Sequence, residues 1–292
     1  SLGRIIMNKI AIIIPSRLDA LRLPNKPLEL INNKEMILHV YEAAKKTNTG
    51  EVYVATPDKK IMDVVTIHGG NAILTSLNHQ TGTDRVYEVF KDHLKSEPNI
   101  IVNLQGDMPN INPKAIKDLI LYMNKGQCDI GTMASKFGSE KELTDENNVK
   151  VFVKEKLRIN NFCKAIDFSR VSSTKDDNIY HHVGIYAFTN KALVRYVSLK
   201  RSKLELERKL EQLRAIENDM SIHVGYINSS PLSVDTKNDL IEVKKIMERN
   251  LEQLRALENN MSINVGYINS SPLSVDTKND LIEVKKIMEN NE

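Results

Sequence analysis

Residues Ile10 to Ile14 (IAIII) form an unbroken apolar run, β-branched apart from Ala11, that stops at Pro15. A strand with no polar face has to be covered on both sides, which points to a parallel strand in a sheet with helices above and below it. Past Pro15 the chain carries Arg17, Arg22 and Lys26 on one loop. Ligands of open α/β sheets bind beyond the carboxyl ends of the strands, and cations spaced along such a loop can reach successive phosphates. The segment therefore reads as an anion site suited to a nucleoside triphosphate, with a solvated basic loop as the bland alternative.

Further strand-like runs follow at Glu51 to Ala55, Ala72 to Leu74, Ile100 to Leu104 and Asp129 to Met133. Amphipathic helical patterns lie between them, among them Met36 to Lys46 and Arg85 to Leu94. That alternation predicts an α/β fold with a mainly parallel central sheet flanked by helices. After about Ala134 the pattern shifts to longer strands, Val149 to Lys154 and His182 to Phe188, then polar loops and charged helices, so a smaller β-rich subregion is expected on the acceptor side of a pocket. Ser172 to Asn178 (SSTKDDN) has loop composition.

With 292 residues, 41% of them hydrophobic, the chain can build the core of one large domain or two modest ones. Its formal charge of +3 comes without a basic block or basic and aromatic interleaving, so neither nucleic acid nor an anionic membrane surface is an expected partner. Cys128 and Cys163 make no CxxC pair, which fits a reducing, cytoplasmic compartment and core or surface thiols. No apolar run approaches the roughly 18 residues that span a bilayer. Ser1 to Ile6 precede Met7, which reads as a natural start, and are left out of the expected fold.

The chain also repeats itself. Glu207 to Met247 recurs as Glu248 to Met288, a period of 41, with four differences: Lys209/Asn250, Ile216/Leu257, Asp219/Asn260 and His223/Asn264. Solenoids need about three or more repeats with divergent caps, so two near-identical copies point instead to a recent duplication or to a cloning or sequencing artefact. Asp239 to Asn259 crosses the join without Gly or Pro and with apolar residues near helical spacing, so one helix is expected to link the copies.

Candidate chemistry gathers in four short segments. Asn103 to Pro109 (NLQGDMP) puts Asp107 at the carboxyl end of the Ile100 to Leu104 run, where a carboxylate can hold Mg²⁺ against a triphosphate or simply cap a helix. A second carboxylate is available at Asp235 in SVDT, or at its duplicate Asp276; either one serves equally well as an N-cap. Gln80 to Arg85 (QTGTDR) offers hydroxyls, a Gly and an Arg ahead of a helix, suited to a base or ribose or to capping alone. His182, Gly184 and Tyr186 alternate along one strand and are expected to share a face that can line a sugar pocket, although a strand histidine is more often a structural one.

Together IIIPSR, RLPNKPL, HQTGTDR, VNLQGDMP, NNVKV, FSR, HHVGIYAF, LEQLRAIEN and SVDT resemble, in order and at fitting spacing, the 3-deoxy-manno-octulosonate cytidylyltransferase family, over roughly Lys9 to Glu248. The resemblance implies a glycosyltransferase-A-like nucleotidyltransferase fold with a smaller β-rich sugar-binding and dimerisation subregion, residues 7–248 as the cytidylyltransferase domain, and residues 249–292 as a tandem copy of the segment before it. It implies CTP and 3-deoxy-manno-octulosonate (Kdo) as substrates, Mg²⁺ as cofactor, a homodimer, and a place in lipopolysaccharide biosynthesis. Carried over by motif, Lys26, Asp107 and Asp235 are the expected catalytic residues, with the two aspartates as metal ligands. Arg17, Arg22, Lys26, Thr83, Arg85 and Gln105 are expected at CTP, and Gln105, Arg170, His182, Tyr186, Glu211 and Gln212 at the sugar. Of the two repeats, the first is expected to build the site. Departures from the family are Asn25 in place of a frequent Gly, Met108 in place of Glu, Asp19 to Leu21 in place of a Ser-Thr pair, and Val171 and Ser172 in place of Ile-Pro after FSR. A cytidylyltransferase for another acid sugar such as a neuraminate, and an inactive dimerisation or regulatory protein, are the rival readings.

Overall fold

Strand β1 (Ile10–Pro15) is buried along its whole length. In the computed structural model, which describes residues 8–19, 22–172, 176–259 and 261–262, it lies at the centre of one half of a nine-stranded sheet. The other strands are β2 (Leu30–Ile31), β3 (Lys34–Glu35), β4 (Glu51–Thr56), β5 (Ala72–Leu74), β6 (Ile100–Leu104), β7 (Ile130–Ser135), β8 (Lys150–Val153), β9 (Phe162–Ser169), β10 (Ile179–Thr189) and β11 (Ile222–Tyr226). The helices are α1 (Met36–Lys45), α2 (Lys59–Ile67), α3 (Gly82–Glu88), α4 (Pro113–Met123), α5 (Glu140–Thr144), α6 (Asn190–Ser198), α7 (Lys203–Arg208), α8 (Leu213–Glu217) and α9 (Lys237–Glu258).

The sheet order is β5-β4-β1-β6-β10-β7-β11-β9-β8, while β2 and β3 make a separate hairpin. The first four strands are parallel, as expected of the βαβ pattern. Long β10 then enters antiparallel between β6 and β7, and its first residues also pair with β8, which ties the far edge back to the middle of the sheet. Alternation along β1 explains its composition. Ile10, Ile12 and Ile14 enter the core that includes Ile37, Leu38, Ile116 and Leu119 of α1 and α4, whereas Ala11 and Ile13 enter the core that includes Val86 of α3 and Leu193 of α6. Each fully buried aliphatic side chain contributes about 1.5–3 kcal/mol.

Two elements depart from the sequence reading. The helix expected over Arg85 to Leu94 starts at Gly82, because Thr81 caps it by accepting from the Asp84 N–H, and it ends as a π-turn over Val89–His93. Strand β9 escapes the hydrophobic pattern because it alternates buried Cys163 and Ala165 with exposed Lys164 and Ile166, the last 55% exposed. In β10 the pairing with β7 shifts register between Val183 and Tyr186, yet the side chains keep their period of two: Val183, Ile185 and Ala187 enter one core, and Tyr180, Tyr186 and Phe188 the other. His182 and Tyr186 are neighbours, with ring centroids 5.3 Å apart.

The chain divides into two compact units, Ser1–Glu248 and Arg249–Glu292. Ser1 to Ile6, Ala20 and Leu21, the middle of the Ser172 to Asn178 loop, and the second repeat past Ser262, including Asp276, lie outside the described residues. Among the described residues no helix is long and apolar enough to cross a membrane.

Candidate active site

A cleft of about 600 Å³ opens at the carboxyl ends of β1 and β6, with Arg17, Arg22, Lys26, Gln105, Asp107 and Asp235 in its walls. The loop after β1 is tied down by its backbone: Leu18 N–H donates to Asp58 Oδ2 at 2.8 Å and Asn25 N–H to the Leu18 carbonyl at 3.3 Å. Asn25 has φ 58° and ψ 18°, a left-handed conformation that Gly and Asn tolerate better than other residues, so Asn25 meets the conformational need that a Gly meets there. A short 3₁₀ turn, Lys26–Leu28, follows and aims Lys26 inward with its side chain 16% exposed.

Two carboxylates converge on that lysine. Lys26 Nζ lies 3.1 Å from Asp235 Oδ1 and 3.6 Å from Asp107 Oδ2, and Arg22 Nη2 lies 3.2 Å from Asp235 Oδ2. Neither aspartate is a helix cap. Asn112 caps α4 by accepting from the Lys114 N–H, and Thr236 Oγ1 accepts from the Asp239 N–H at the start of α9, which leaves both carboxylates to the cleft. The Asp235 loop is stapled to the Asp107 loop: Val234 N–H donates to the Asp107 carbonyl at 2.8 Å and Ser233 Oγ donates to Asp107 Oδ2 at 3.1 Å. Val234, Leu240 and Val243 form a small core with Leu23, Ile31 and Met36 that holds this segment against the β1 side of the cleft. Withdrawal from water pushes the Asp107 carboxyl above the usual range; Lys26 pulls it back, Asp235 adds to the upward push, and the Ser233 hydroxyl opposes it.

The HQTGTDR segment supplies the opposite wall through His79, Gln80, Thr81, Gly82 and Arg85. Arg85 is almost fully buried and donates to Thr75 Oγ1 and to the Ser76 carbonyl. His79 pairs with Glu88, and Glu88 also accepts from the Ser76 N–H. Gln80 and Thr81 belong to the QTGTDR segment expected to suit a base or ribose, and His79, just ahead of it, is the wall residue that the sequence reading did not single out. Thr83, expected at the nucleotide, turns its hydroxyl inward instead, donating to Glu211 Oε1 at 3.0 Å.

Comparison with known proteins gives this cleft its setting. Residues 11–222 match the family described as cytidylyltransferase. A 3-deoxy-manno-octulosonate cytidylyltransferase of Bartonella henselae is 43% identical over 238 residues, covering 80% of this chain and 97% of the relative. This chain belongs to that family. A solved structure, that of a CMP:2-keto-3-deoxy-manno-octonic acid synthetase complexed with CTP, is 35% identical and has a TM-score of 0.75, over 83% of this chain and 99% of that one. A 4-diphosphocytidyl-2C-methyl-D-erythritol synthase of Anaerococcus prevotii, 13% identical with a TM-score of 0.58 over 82% of this chain and 99% of that one, shares the fold alone. The match to the Bartonella relative uses up nearly all of that protein and leaves about a fifth of this chain over.

Within the family frame, the expected sugar residues fall in four places. Gln105 lines the open cleft. Tyr186, Glu211 and Gln212 border a cavity of only about 10 Å³ beneath Thr83, room for about one water. His182 is buried, its Nε2 is 2.9 Å from Thr132 Oγ1, and burial pushes its pKa down to about 3, so it is neutral. Arg170 is not in the cleft wall; it lies past the end of β9 and donates to the Glu146 and Asn147 carbonyls.

Proposed function

We propose that this chain transfers the cytidylyl group of CTP to 3-deoxy-manno-octulosonate, releasing pyrophosphate, with magnesium as its cofactor. The observation that carries this reading is the convergence of Asp107 and Asp235 on Lys26, below a loop that also bears Arg17 and Arg22.

The residues fit the metal. The Asp235 carboxylate lies near enough to Asp107 to disfavour the charge of Asp107, and one ammonium group bridges the two, an arrangement that also welcomes a compact divalent cation. Among the described residues no group of three or more His, Cys, Asp or Glu side chains forms a closed metal cage. Two carboxylates, with phosphate oxygens and water completing the shell, are a usual way of holding magnesium. Bound there, the ion supplies neutralisation of phosphate charge and orientation of the reacting groups.

In the reaction the anomeric hydroxyl oxygen of the sugar bonds to the α-phosphorus as the bond to the bridging oxygen breaks. Pyrophosphate departs with the electron pair, and the hydroxyl proton passes to solvent. Such transfers depend on positioning and on charge stabilisation. In this reading Arg17, Arg22 and Lys26, which line the cleft, neutralise the triphosphate and the departing pyrophosphate, and the HQTGTDR wall faces the base and ribose. Gln105 is the acceptor-side group already in the cleft, with Tyr186, Glu211 and Gln212 behind it. A homodimer in the cytoplasm that feeds lipopolysaccharide synthesis completes the reading, and exposed Ile159, Ile166 and Val171 near β9 supply apolar surface for a partner.

Pyrophosphate release with CTP and Kdo, with and without Mg²⁺, tests this directly. Release that requires all three is expected; release with a neuraminate and not with Kdo, or release indifferent to Mg²⁺, overturns it.

A further inference from the structure

Asn103 is a fully buried polar residue in the middle of β6, and the chemistry outlined above leaves it without a task. On its strand it alternates with Val102 and Leu104, which face the α1 and α4 side, so its amide points towards α3. Both ends of that amide are used. Gln105 Nε2 donates to Asn103 Oδ1 at 3.0 Å, Asn103 Nδ2 donates to Thr83 Oγ1 at 3.1 Å, and Thr83 Oγ1 donates to Glu211 Oε1 at 3.0 Å. The three bonds run head to tail and end on a carboxylate, a polarity in which each bond strengthens the next. Glu211 is itself fixed from behind, since Tyr196 Oη donates to its carbonyl at 2.7 Å.

We propose that Asn103 is a positioning residue for the acid sugar, coupling Gln105 in the open cleft through Thr83 to the buried carboxylate of Glu211. The inference rests on the proposed function, in which Gln105 and Glu211 serve the sugar. An asparagine suits the place because it is a donor and an acceptor at once. Aspartate keeps the acceptor for Gln105 and loses the donor for Thr83, while leucine loses both. A threonine next in line suits it too, because its hydroxyl can accept from the amide while donating to the carboxylate. Through this line the orientation of the Gln105 amide is set by Glu211, three hydrogen bonds away, so the two sugar-side groups act as one unit.

Steady-state kinetics of Asn103→Asp, Thr83→Val and Thr83→Ser test the coupling. Asn103→Asp and Thr83→Val should raise the KM for Kdo about tenfold or more, the scale of one lost hydrogen bond to a charged group, with the KM for CTP changed less than about twofold. Thr83→Ser keeps the hydroxyl and should stay within about twofold of the parent in both. Unchanged Kdo KM values, equal rises for both substrates, or a Thr83→Ser protein that behaves like Thr83→Val overturn the proposal. Turnover by the parent separates the two ideas: a parent inactive with CTP and Kdo counts against the proposed function, whereas an active parent with unaffected variants counts against the coupling alone. A second measurement needs no substrate. The exchanged pair Asn103→Asp with Glu211→Gln restores every link with the Thr83 bonds reversed, so it should melt within about 3 °C of the parent while Asn103→Asp alone melts lower. A pair no more stable than Asn103→Asp alone overturns the proposal.

Discussion

Leu210–Glu217 (LEQLRAIE) and Leu251–Glu258 (LEQLRALE) differ at a single position and adopt different structures. In the first repeat the chain turns through left-handed Lys209 and forms the short helix α8, with Leu210 and Leu213 4% and 0% exposed. In the second repeat the same residues are the last turns of α9, with Leu251 and Leu254 41% and 53% exposed. The octamer has no Gly or Pro and is rich in helix formers, so an uninterrupted helix is its default. The first repeat departs from that default because of partners outside the repeat. Arg214 donates to Glu205 at 2.6 and 2.9 Å, its guanidinium sits over Tyr196 at 4.6 Å, and Ser202 with Glu205 forms a capping box at the start of α7. The repeat begins at Glu207, so 41 positions on, Ile246 stands at the place of Glu205, Val243 at that of Ser202 and Lys237 at that of Tyr196. The segment recurs and its seat does not.

The largest effect should come from breaking that seat. Removing one partner of a buried ion pair costs about 3–5 kcal/mol because the other charge is left stranded. Glu205→Ala should therefore lower unfolding stability by about that much, as read by denaturant titration, and take the Glu211 segment with it. Arg255→Ala, the exposed counterpart of Arg214 in the second repeat, should stay within about 0.5 kcal/mol. Equal losses in the two variants would mean that the ion pair is not what separates the repeats.

Function should divide along the same line. Asp235→Asn should lower turnover at least about 100-fold, the scale of a lost electrostatic contribution to catalysis, with the protein still folded. Asp276→Asn, and a chain ending at Met247, should keep turnover within about twofold of the parent, since Val234, Leu240 and Val243 already anchor the first repeat. Loss of activity in Asp276→Asn with Asp235→Asn silent would show that the second repeat serves the site.

These contrasts also mark what a sequence can disclose. The strand before the cationic loop was legible because its apolar run admits few environments, and Lys26 was legible because the loop must follow that strand. Asp107 and Asp235 could be proposed from their places, but only the rival caps at Asn112 and Thr236 show that their carboxylates are left to the cleft. The inward turn of Thr83 and the register shift in β10 depend on neighbours distant in sequence, and no local pattern encodes them. The two octamers set the limit: one local sequence has two structures, so the difference has to lie in what surrounds it.

The His223/Asn264 difference predicts a change in pH response. Burial, with Lys164 nearby, holds the His223 imidazole below its ordinary value while Asp129 opposes them, and its Nδ1 is 2.6 Å from the Tyr122 hydroxyl. The unfolded chain therefore takes up a proton on this residue more readily than the folded one. Its contribution to stability is present above about pH 6.5 and is lost as the pH falls below that. His223→Asn should lose less melting temperature than the parent between about pH 7.5 and 5.5. Part of the decline should remain, because His181 and His182 are held down by burial as well. Identical declines in the two proteins would remove His223 from the account.

The smallest effect concerns the two positions where the repeats differ at a left-handed residue. Lys209 has φ 55° and ψ 45° as the C-cap of α7, and Asp219 has φ 56°; the second repeat has Asn at both. An ordinary side chain in this conformation costs roughly 1–2 kcal/mol, and asparagine recovers part of that by bonding to nearby backbone. Lys209→Asn should therefore stabilise the first repeat by about 0.5 kcal/mol, seen as a higher urea midpoint at unchanged slope. At the matching position of the second repeat the backbone is helical, and Asn is the poorer residue there, so Asn250→Lys should be neutral or stabilising by a few tenths of a kcal/mol. The same exchange of side chains would then favour each repeat in opposite directions. If Lys209→Asn instead lowers the midpoint, the turn before Glu211 is held by the lysine side chain, and the backbone conformation is not what asks for asparagine.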